Sequence, residues 1–323
     1  MRESETPSSR GARAVLRTEN LTKRYGDLIA VDGLNLEVFQ GEILGFLGPN
    51  GAGKTTSLNM MCGLLKPDSG KTYLFGIPVD GKNGEMVSRV GVTPQNTVLW
   101  GKLTCMEQLE FLGQMHGLPG KEARVRGKAL LEVMGLSERA HKLASTLSGG
   151  MQRRLNLILA LVHEPDILFL DEPEAGLDPQ SRVLVRDYIK ILAHEHRKTV
   201  IFTTHNMDEA DRIADRVAII DHGKLLTLDT SDALKRSVGE GDVLEIDLFG
   251  RELETAMRAV RKNVSSVFLT GNTLVMRDRN VIVSLPFIMD VLKSSGLRLG
   301  EVRLHENTLE DVFITLTGRR LRE

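Results

Sequence analysis

The chain has few cysteines, almost no net charge and no long apolar segment, and each absence narrows its function. Two cysteines in 323 residues, Cys62 and Cys105, are too few for a disulfide framework or a zinc site and favour a reducing compartment. A formal net charge of -1 gives no overall attraction to nucleic acid, so we expect no nucleic-acid partner. The longest apolar stretches, such as residues 155–162, fall short of the ~20 residues that a membrane-spanning helix needs. If the protein works at a membrane, another chain must supply the span.

The sequence does contain a phosphate-binding loop at residues 48–56, GPNGAGKTT, between an apolar run and a helix pattern. Its glycines let consecutive backbone N–H groups approach an anion, and the new helix adds the partial positive charge of its N-terminus. In this motif the lysine reaches the β- and γ-phosphates and the next hydroxyl is a ligand of Mg²⁺, here Thr55. The loop therefore predicts binding of a nucleoside triphosphate through Gly48, Pro49, Asn50, Gly51, Ala52, Gly53, Lys54, Thr55 and Thr56.

Around this loop the chain has the pattern of an α/β domain with a helical insertion. Continuous apolar runs, typical of strands covered on both faces of a sheet, recur between helix patterns. Strands are predicted at residues 15–19, 34–39, 43–47, 90–93, 167–170, 200–203 and 217–221, and helices within 104–135 and at 151–162 and 180–195. The insertion covers about residues 104–163.

Two adjacent carboxylates end one of these strands, in the segment ILFLDE at residues 167–172. On their own they can equally be solvated charges at a strand edge. In an open α/β sheet, however, ligands bind at the carboxyl ends of the strands. Next to a phosphate loop, we expect Asp171 to hold Mg²⁺ and Glu172 to act as general base on an attacking water.

The remaining motifs are weak singly and specific in their order. Ser148, Gly149 and Gly150 precede a helix, a second geometry suited to an anion, about 20 residues before Asp171. Gln95 lies upstream, and residues 176–179, GLDP, and 204–205, TH, lie downstream. In this order the motifs resemble the nucleotide-binding subunit of ATP-binding cassette (ABC) transporters, over residues 15 to about 237.

The resemblance implies a head-to-tail dimer that holds two ATP molecules, with the Ser148–Gly150 turn of one subunit facing the phosphate loop of the other. It further implies that Asp178 crosses the interface, Tyr25 stacks on adenine, Gln95 approaches Mg²⁺ and the attacking water, and His205 contacts the γ-phosphate. Simpler alternatives remain for three of them: Asp178 with Pro179 can begin a helix, and a lone Tyr or His can be structural. A single Gln such as Gln95 is weak evidence by itself, and its place in the series of motifs supports the assignment.

Two positions depart from the family pattern. Met151 takes the place of the usual glutamine after Ser-Gly-Gly, and Gln152 follows one residue later. Glu174 stands where a small or hydroxyl residue is frequent. An extra acid there can raise the pKa of a neighbouring carboxylate through like-charge repulsion.

From about residue 239 the pattern changes to that of a second, smaller domain. A strand at 242–249, a helix at 252–262, a hairpin of 264–270 with 274–277, a helical segment at 281–294 and a strand at 302–305 predict a split βαβ domain. Residues 308–318 predict a short amphipathic helix ending at a glycine. We expect a disordered tail at residues 1–13, the P-loop ABC ATPase domain at 14–238 and an accessory α+β domain at 239–323. Its role, stabilising a homodimer or regulation, stays open.

This ending and the residues around Met151 are similar to the drug- and polysaccharide-exporting branch of the family, namely daunorubicin-resistance and nodulation-type ATPases. The branch implies a separate membrane permease, a homodimer, ATP and Mg²⁺ as cofactors, a peripheral position on the cytoplasmic face of the membrane, and export. One alternative is a soluble mechanochemical ABC ATPase acting on ribosomes or DNA, and another is a nucleotide-sensing scaffold without turnover. A single cassette, with about 95 residues and no sustained heptads between loop and signature, disfavours the ribosome and DNA class.

Overall fold

The computed structural model describes residues 13–79, 86, 88–239, 241–250, 253–261, 264, 266–278 and 281–318. The chain forms two compact units, of which the first ends at Asp229 and the second begins at Thr230. The division falls earlier in the chain than the expected one after residue 238, because the helix Ser231–Ser237 packs against the helix Leu309–Thr317. Of the expected N-terminal tail, residues 1–12 lie outside the described residues.

The first unit contains two sheets and the helices between their strands. In chain order its elements are β1 (Ala14–Tyr25), β2 (Leu28–Phe39), β3 (Ile43–Leu47), α1 (Lys54–Met61), β4 (Ser69–Leu74), β5 (Ile77–Pro78), β6 (Val90–Thr93), α2 (Cys105–Met115), α3 (Gly120–Val133), α4 (Gly149–Leu159), β7 (Ile167–Asp171), α5 (Pro179–His194), β8 (Thr199–Thr204), α6 (Met207–Ile213), β9 (Arg216–Asp221) and β10 (Lys224–Asp229).

The main sheet explains the continuous apolar runs of the sequence. Its strand order is β10-β9-β3-β8-β7-β6, parallel throughout except for the antiparallel β10. Every residue of β3, β7 and β8 is buried, as expected of a sheet covered on both faces. Leu47 pairs with Thr204, and Asp171 with Thr203, so the phosphate loop and both carboxylates start from one edge of the sheet.

The second sheet, β2-β1-β4-β5, is antiparallel, and here the sequence predictions were incomplete. The strands predicted at 15–19 and 34–39 extend to Ala14–Tyr25 and Leu28–Phe39. The strands β4, β5 and β10 were not predicted at all. Only two residues of β4 and none of β5 or β10 are buried, so these strands lack the continuous apolar runs that mark the main sheet.

The helical insertion consists of α2, α3 and α4, whose apolar sides form a core with α5. A capping box between Thr104 and Glu107 begins α2. The segment predicted as helical over 104–135 is broken because Gly117, with φ +87, leaves the helical region and Pro119 precedes α3. The helix predicted at 151–162 begins earlier, at Gly149, because the Ser148 side chain caps it.

The second unit has the predicted split βαβ topology. After α7 (Ser231–Ser237) it contains β11 (Asp242–Phe249), α8 (Leu253–Val260), β12 (Ser266–Thr270), β13 (Thr273–Asp278), α9 (Val281–Ser294), β14 (Arg298–His305) and α10 (Leu309–Thr317). The sheet order is β12-β13-β11-β14 with antiparallel neighbours, which confirms the α+β prediction. Pro286 lies inside α9, which is continuous. Parts of the predicted segments 252–262 and 264–270 fall outside the described residues.

A buried ion pair fixes the last helix to this sheet. Arg277 of β13 donates to Asp311 of α10 at 3.1 Å, and both side chains are almost fully buried. Asp311 also completes a capping box with Thr308, so α10 begins at a defined residue. Gly318, with φ +72, ends it as predicted. Among the described residues no helix is long and apolar enough to cross a bilayer.

Candidate functional site

The phosphate loop lies between β3 and α1 and packs tightly on neighbouring backbone. A Cβ added to Gly53 would come within 2.2 Å of the Ala30 carbonyl oxygen, and one added to Gly48 within 2.2 Å of the Ile220 carbonyl oxygen. Gly53 also has φ +98, in the left-handed region that favours glycine. The loop therefore has the shape of a cradle that side chains at these positions would fill.

Lys54 lies under this loop, with 6% of its surface exposed. Its Nζ donates to the carbonyl oxygens of Gly48 at 2.9 Å and Pro49 at 3.0 Å. Burial lowers the pKa of Lys54, and the charges of Glu172 and Asp171 oppose this effect. The Lys54 ammonium is thus held beside the loop by two carbonyl hydrogen bonds, which it can exchange for bonds to an anion bound there.

An open depression of about 370 Å³ includes the loop, and its lining residues are of two kinds. Tyr25 and Leu28, 51% and 65% exposed, offer an aromatic and an aliphatic surface, whereas Lys54 and Glu172 carry charge. This combination suits a flat base joined to phosphates. The lining residues are Tyr25, Leu28, Ala30, Asn50, Gly51, Gly53, Lys54, Thr55, Thr56, Gln95 and Glu172.

Asp171 joins the loop to the main sheet. Its Oδ1 accepts hydrogen bonds from Thr55 Oγ1, at 3.1 Å, and from Thr203 Oγ1. The hydroxyl of Thr55, the carboxylate of Asp171 and the nearby amide of Gln95 offer hard oxygen donors, the kind that Mg²⁺ prefers. This donor set, beside a phosphate cradle, fits Mg²⁺.

Glu172 is held on both sides of its carboxylate. Oε1 is 2.9 Å from His205 Nδ1, and Oε2 accepts from Gln95 Nε2 at 3.3 Å. The residue has φ +50, a conformation uncommon for glutamate. Its N–H donates to the Thr203 carbonyl at 3.1 Å and to Thr203 Oγ1 at 3.0 Å, which holds the backbone there. These contacts hold both the strained main chain and the carboxylate of Glu172, so the side chain is oriented before any ligand binds.

The residues of the Ser-Gly-Gly turn and Asp178 lie at helix starts and not in this depression. Ser148 is exposed and caps α4 by accepting from Met151 N at 3.4 Å. Asp178 caps α5, accepting from Ser181 N at 3.1 Å and Ser181 Oγ at 2.7 Å, with Pro179 at the first helical position. Among the described residues, Ser148, Gly149, Gly150 and Asp178 do not line the depression.

The two departures from the family pattern have local explanations. Gln152 Nε2 donates to the carbonyls of Ala144 at 3.2 Å and Leu147 at 3.3 Å, so it holds the segment before the turn. Met151 packs against the core of the helical insertion. Glu174 affects a neighbour as anticipated, and the neighbour is Glu209.

Glu209 of α6 is a buried acid that the sequence did not indicate. Burial raises its pKa to about 8; the hydrogen bond from Thr204 Oγ1 opposes this, and the charges of Glu174 and Glu172 add to it. Its other oxygen, Oε1, has no hydrogen-bond partner in the described part of the chain. Burial and the neighbouring acids therefore favour the protonated form of Glu209.

Sequence reasoning also missed Thr203 and Arg153. Thr203 touches both Asp171 and Glu172, and a signal existed: it is the next-to-last residue of β8, the parallel neighbour of β7. Arg153 is buried against main-chain carbonyls of the site. Its neighbour Arg154 is also an arginine, and spacing alone does not tell which of the two points inward.

Comparison with known proteins agrees with this geometry. Residues 31–175 match the family model described as ABC transporter. A daunorubicin-resistance ATP-binding protein of Streptomyces coeruleorubidus is 38% identical over 322 residues, which cover 97% of this chain and 99% of the relative. The chain belongs to the ABC transporter family. A Nod factor export ATP-binding protein of Ralstonia nicotianae is 37% identical over 317 residues, or 97% of each chain. The resemblance to the drug and polysaccharide export branch is confirmed.

The solved structures support the same identification. A dimeric, post-hydrolysis ATP-binding cassette bound to ADP and Pi aligns with a TM-score of 0.62 and 28% identity, covering 67% of this chain and 98% of that chain. This ABC chain is thus an ATP-binding and ATP-hydrolysing transporter subunit that uses ATP and Mg²⁺. The comparisons favour this function over an ATPase acting on ribosomes or DNA.

We expect Glu172→Gln to bind ATP normally and to stop turnover. The substitution keeps the shape of the side chain and removes the carboxylate able to take a proton from water. Loss of a general base lowers kcat by roughly 10² to 10⁴, and the ATP-bound dimer should accumulate. Phosphate release and light scattering measure the two effects. Glu195→Gln, at an exposed carboxylate, is the matched control, and wild-type hydrolysis by Glu172→Gln would contradict the assignment.

We expect Glu209→Gln to change the pH dependence of stability. The folded chain keeps the proton of Glu209 up to a pKa of about 8, whereas an unfolded carboxyl releases it near 4.5. Stability from this group therefore falls as pH rises between these values. The neutral variant should melt with the wild type near pH 5 and several degrees above it near pH 9, since each pKa unit is worth about 1.4 kcal/mol. A difference in Tm that does not vary with pH would refute this.

Proposed function

We propose that the depression is half of a composite ATP site and that its residues act as follows. Tyr25 stacks on the base, while the backbone of the loop and Lys54 bind the phosphates. Thr55, Gln95 and Asp171 hold Mg²⁺, which when bound neutralises phosphate charge and orients the γ-phosphate. Glu172 takes a proton from the attacking water as the new oxygen–phosphorus bond forms and the bond to ADP breaks. His205 orients Glu172 and contacts the γ-phosphate.

The observation that supports this proposal most strongly is that both carboxylate oxygens of Glu172 are hydrogen bonded. His205 and Gln95 hold its two carboxylate oxygens at 2.9 Å and 3.3 Å, beside a loop whose lysine is buried. Preorganised groups of this kind lower a barrier without reorganising during the reaction. A nucleotide sensor without turnover has no use for a strained, oriented carboxylate at this position.

The other half of the site comes from a second subunit in this proposal. Ser148, Gly149 and Gly150 begin α4 at the surface, where the first N–H groups of a helix lack intrahelical partners and attract anions. Asp178 caps the adjacent helix, and its Oδ1 lies 3.4 Å from where a Cβ of Gly150 would be. These exposed groups suit the phosphates bound by a partner's loop.

A face of the helical insertion suits the permease. Val98, Trp100, Phe111 and Met115 are 64%, 43%, 46% and 67% exposed, and the rings of Trp100 and Phe111 meet edge to face at 5.4 Å. The patch lies on α2 and on the segment that follows Gln95, so a partner seated there can respond to the ATP site. We place this face against the permease, with the chain peripheral on the cytoplasmic side of the membrane.

Export is the direction we propose, because the relatives are named for drug resistance and Nod factor export. Substrate recognition then belongs mainly to the permease. The second unit is an accessory domain whose role is either to stabilise the dimer or to regulate it.

Complementation tests the composite site. Lys54→Ala should lose ATP affinity, and Ser148→Glu should repel the partner's phosphates, so each homodimer should be nearly inactive. In an equal mixture, half of the dimers are mixed and each has one intact site, so activity should recover to at most about a quarter of wild type. If mixed dimers are demonstrated by two affinity tags and no activity returns, Ser148 does not act across the interface.

The permease surface is tested by affinity purification of the tagged full chain from detergent-solubilised membranes. We expect one membrane protein as the main partner, and at least about tenfold less of it with Trp100→Glu, since a desolvated charge opposes docking. Ile77→Glu, on the exposed strand β5, is the matched control and should retain the partner. Recovery of ribosomes or DNA in its place would overturn the transport function.

A further inference from the structure

Arg153 is a buried cation that holds the backbone of two separate site segments. The side chain lies on α4, and only 6% of the residue is exposed. One terminal nitrogen donates to the carbonyls of Pro94 and Gln95 at 2.8 and 2.7 Å. The other donates to the carbonyls of Asp171 and Glu172 at 2.5 and 2.7 Å. Four acceptors from two loops thus meet at one guanidinium.

This contact depends on the shape of the arginine side chain. A guanidinium is a planar fork whose two terminal nitrogens each carry two donors, and it stays charged in proteins. A lysine offers one nitrogen and a glutamine one amide group, so neither spans both pairs of carbonyls. Without Arg153 four carbonyl oxygens lose a charged donor, and the two loops lose their common partner.

The two loops carry the side chains that form the catalytic contact. Gln95 follows β6 and Glu172 follows β7, its parallel neighbour, and their side chains are hydrogen bonded at 3.3 Å. Arg153 therefore fixes the relative position of the two main chains from which this contact is made. Arg153 does not itself line the depression, and it contacts the lining residues Gln95 and Glu172 only at their main-chain carbonyls. Its effect on chemistry therefore passes through these two residues.

The same helix reaches the surface proposed to meet the partner. Arg153 lies five residues after Ser148, about 7–8 Å along the helix axis. At one end of α4, Ser148 and Gly149 are exposed and Gly150 is half-buried, and just over one turn later Arg153 binds the four carbonyls. Because α4 is rigid, it fixes the distance between the Ser148–Gly150 turn and the carbonyls that Arg153 binds.

We propose that Arg153 is a positioning residue through which ATP at one site of the dimer controls hydrolysis at the other. When Ser148–Gly150 engage the partner's ATP, α4 is held in place, and Arg153 then fixes Gln95 and Glu172 at the subunit's own site. The inference rests on the composite site proposed above. Its consequence is positive cooperativity in hydrolysis, since each site is completed from both sides of the interface.

The first experiment compares ATP hydrolysis by the purified full chain with that of Arg153→Gln and Arg154→Gln. Arg154 is the matched control because it follows on the same helix and donates to the Met134 carbonyl at 2.6 Å, in the helical insertion. We expect Arg153→Gln to bind ATP within about twofold of wild type, to lose at least about tenfold in kcat, and to have a Hill coefficient near one. Arg154→Gln should keep the wild-type Hill coefficient even where its stability falls.

The second experiment measures single-turnover ATP hydrolysis in mixed dimers that contain one Glu172→Gln subunit, which keeps ATP on its own loop and leaves one live site. In the subunit that provides the live loop and an intact Glu172, Arg153→Gln should lower the hydrolysis rate about tenfold. In the Glu172→Gln subunit, which provides only Ser148–Gly150 to the live site, it should change the rate by less than about twofold. Equal losses in both placements would show a merely structural role, and no loss in either would also overturn the proposal.

Two further results keep the interpretation unambiguous. If Arg153→Gln does not fold, Arg153→Lys keeps the charge, removes the fork and carries the same pair of tests. If the Lys54→Ala and Ser148→Glu subunits fail to complement, the composite site itself is wrong. If these two subunits complement while Arg153→Gln retains wild-type kcat and cooperativity, the composite site stands and the proposed role of Arg153 is wrong.

Discussion

The site depends on the parallel pairing of β3, β8 and β7. Parallel neighbours deliver their carboxyl ends to one edge, and the register sets Leu47 beside Thr204 and Asp171 beside Thr203. From that edge the phosphate loop, the two carboxylates and His205 all continue. A slip of one residue in either pairing would turn Asp171 away from Thr55. The buried apolar faces of these strands therefore hold the catalytic geometry as well as the fold.

Helix α4, which begins at the Ser-Gly-Gly turn, has two roles in the site. Its exposed N-terminus suits an anion, and its buried side carries a charged residue into the site of its own subunit. Burying an arginine is costly unless every donor is satisfied, so the four carbonyls and the arginine require one another. This requirement explains why the segment is a helix capped by Ser148 and not a flexible Ser-Gly-Gly turn.

Much of the site was predictable because its motifs are local. The loop at 48–56, the strand before Asp171 and the order of Gln95, Ser148 and His205 are all readable along the chain. Residues that act through tertiary contact were not. Arg153 and Arg154 look alike in sequence, and only packing selects which is buried. The weak strands β4, β5 and β10 were missed because pairing with neighbours, and not an apolar pattern, holds them in place.

Burial is the main cause of the raised pKa of Glu209, and the charges of Glu174 and Glu172 add to it. Asp171 and Glu172 are buried carboxylates, and Lys54 and Arg153 are the buried cations whose charges interact with both. These four charges balance. An ionised Glu209 would add a negative charge beside Glu174 and Glu172, near the place where an anionic triphosphate must bind, and burial disfavours that charge further. A neutral Glu209 still accepts the hydrogen bond from Thr204 Oγ1, next to His205, and adds no negative charge to the site.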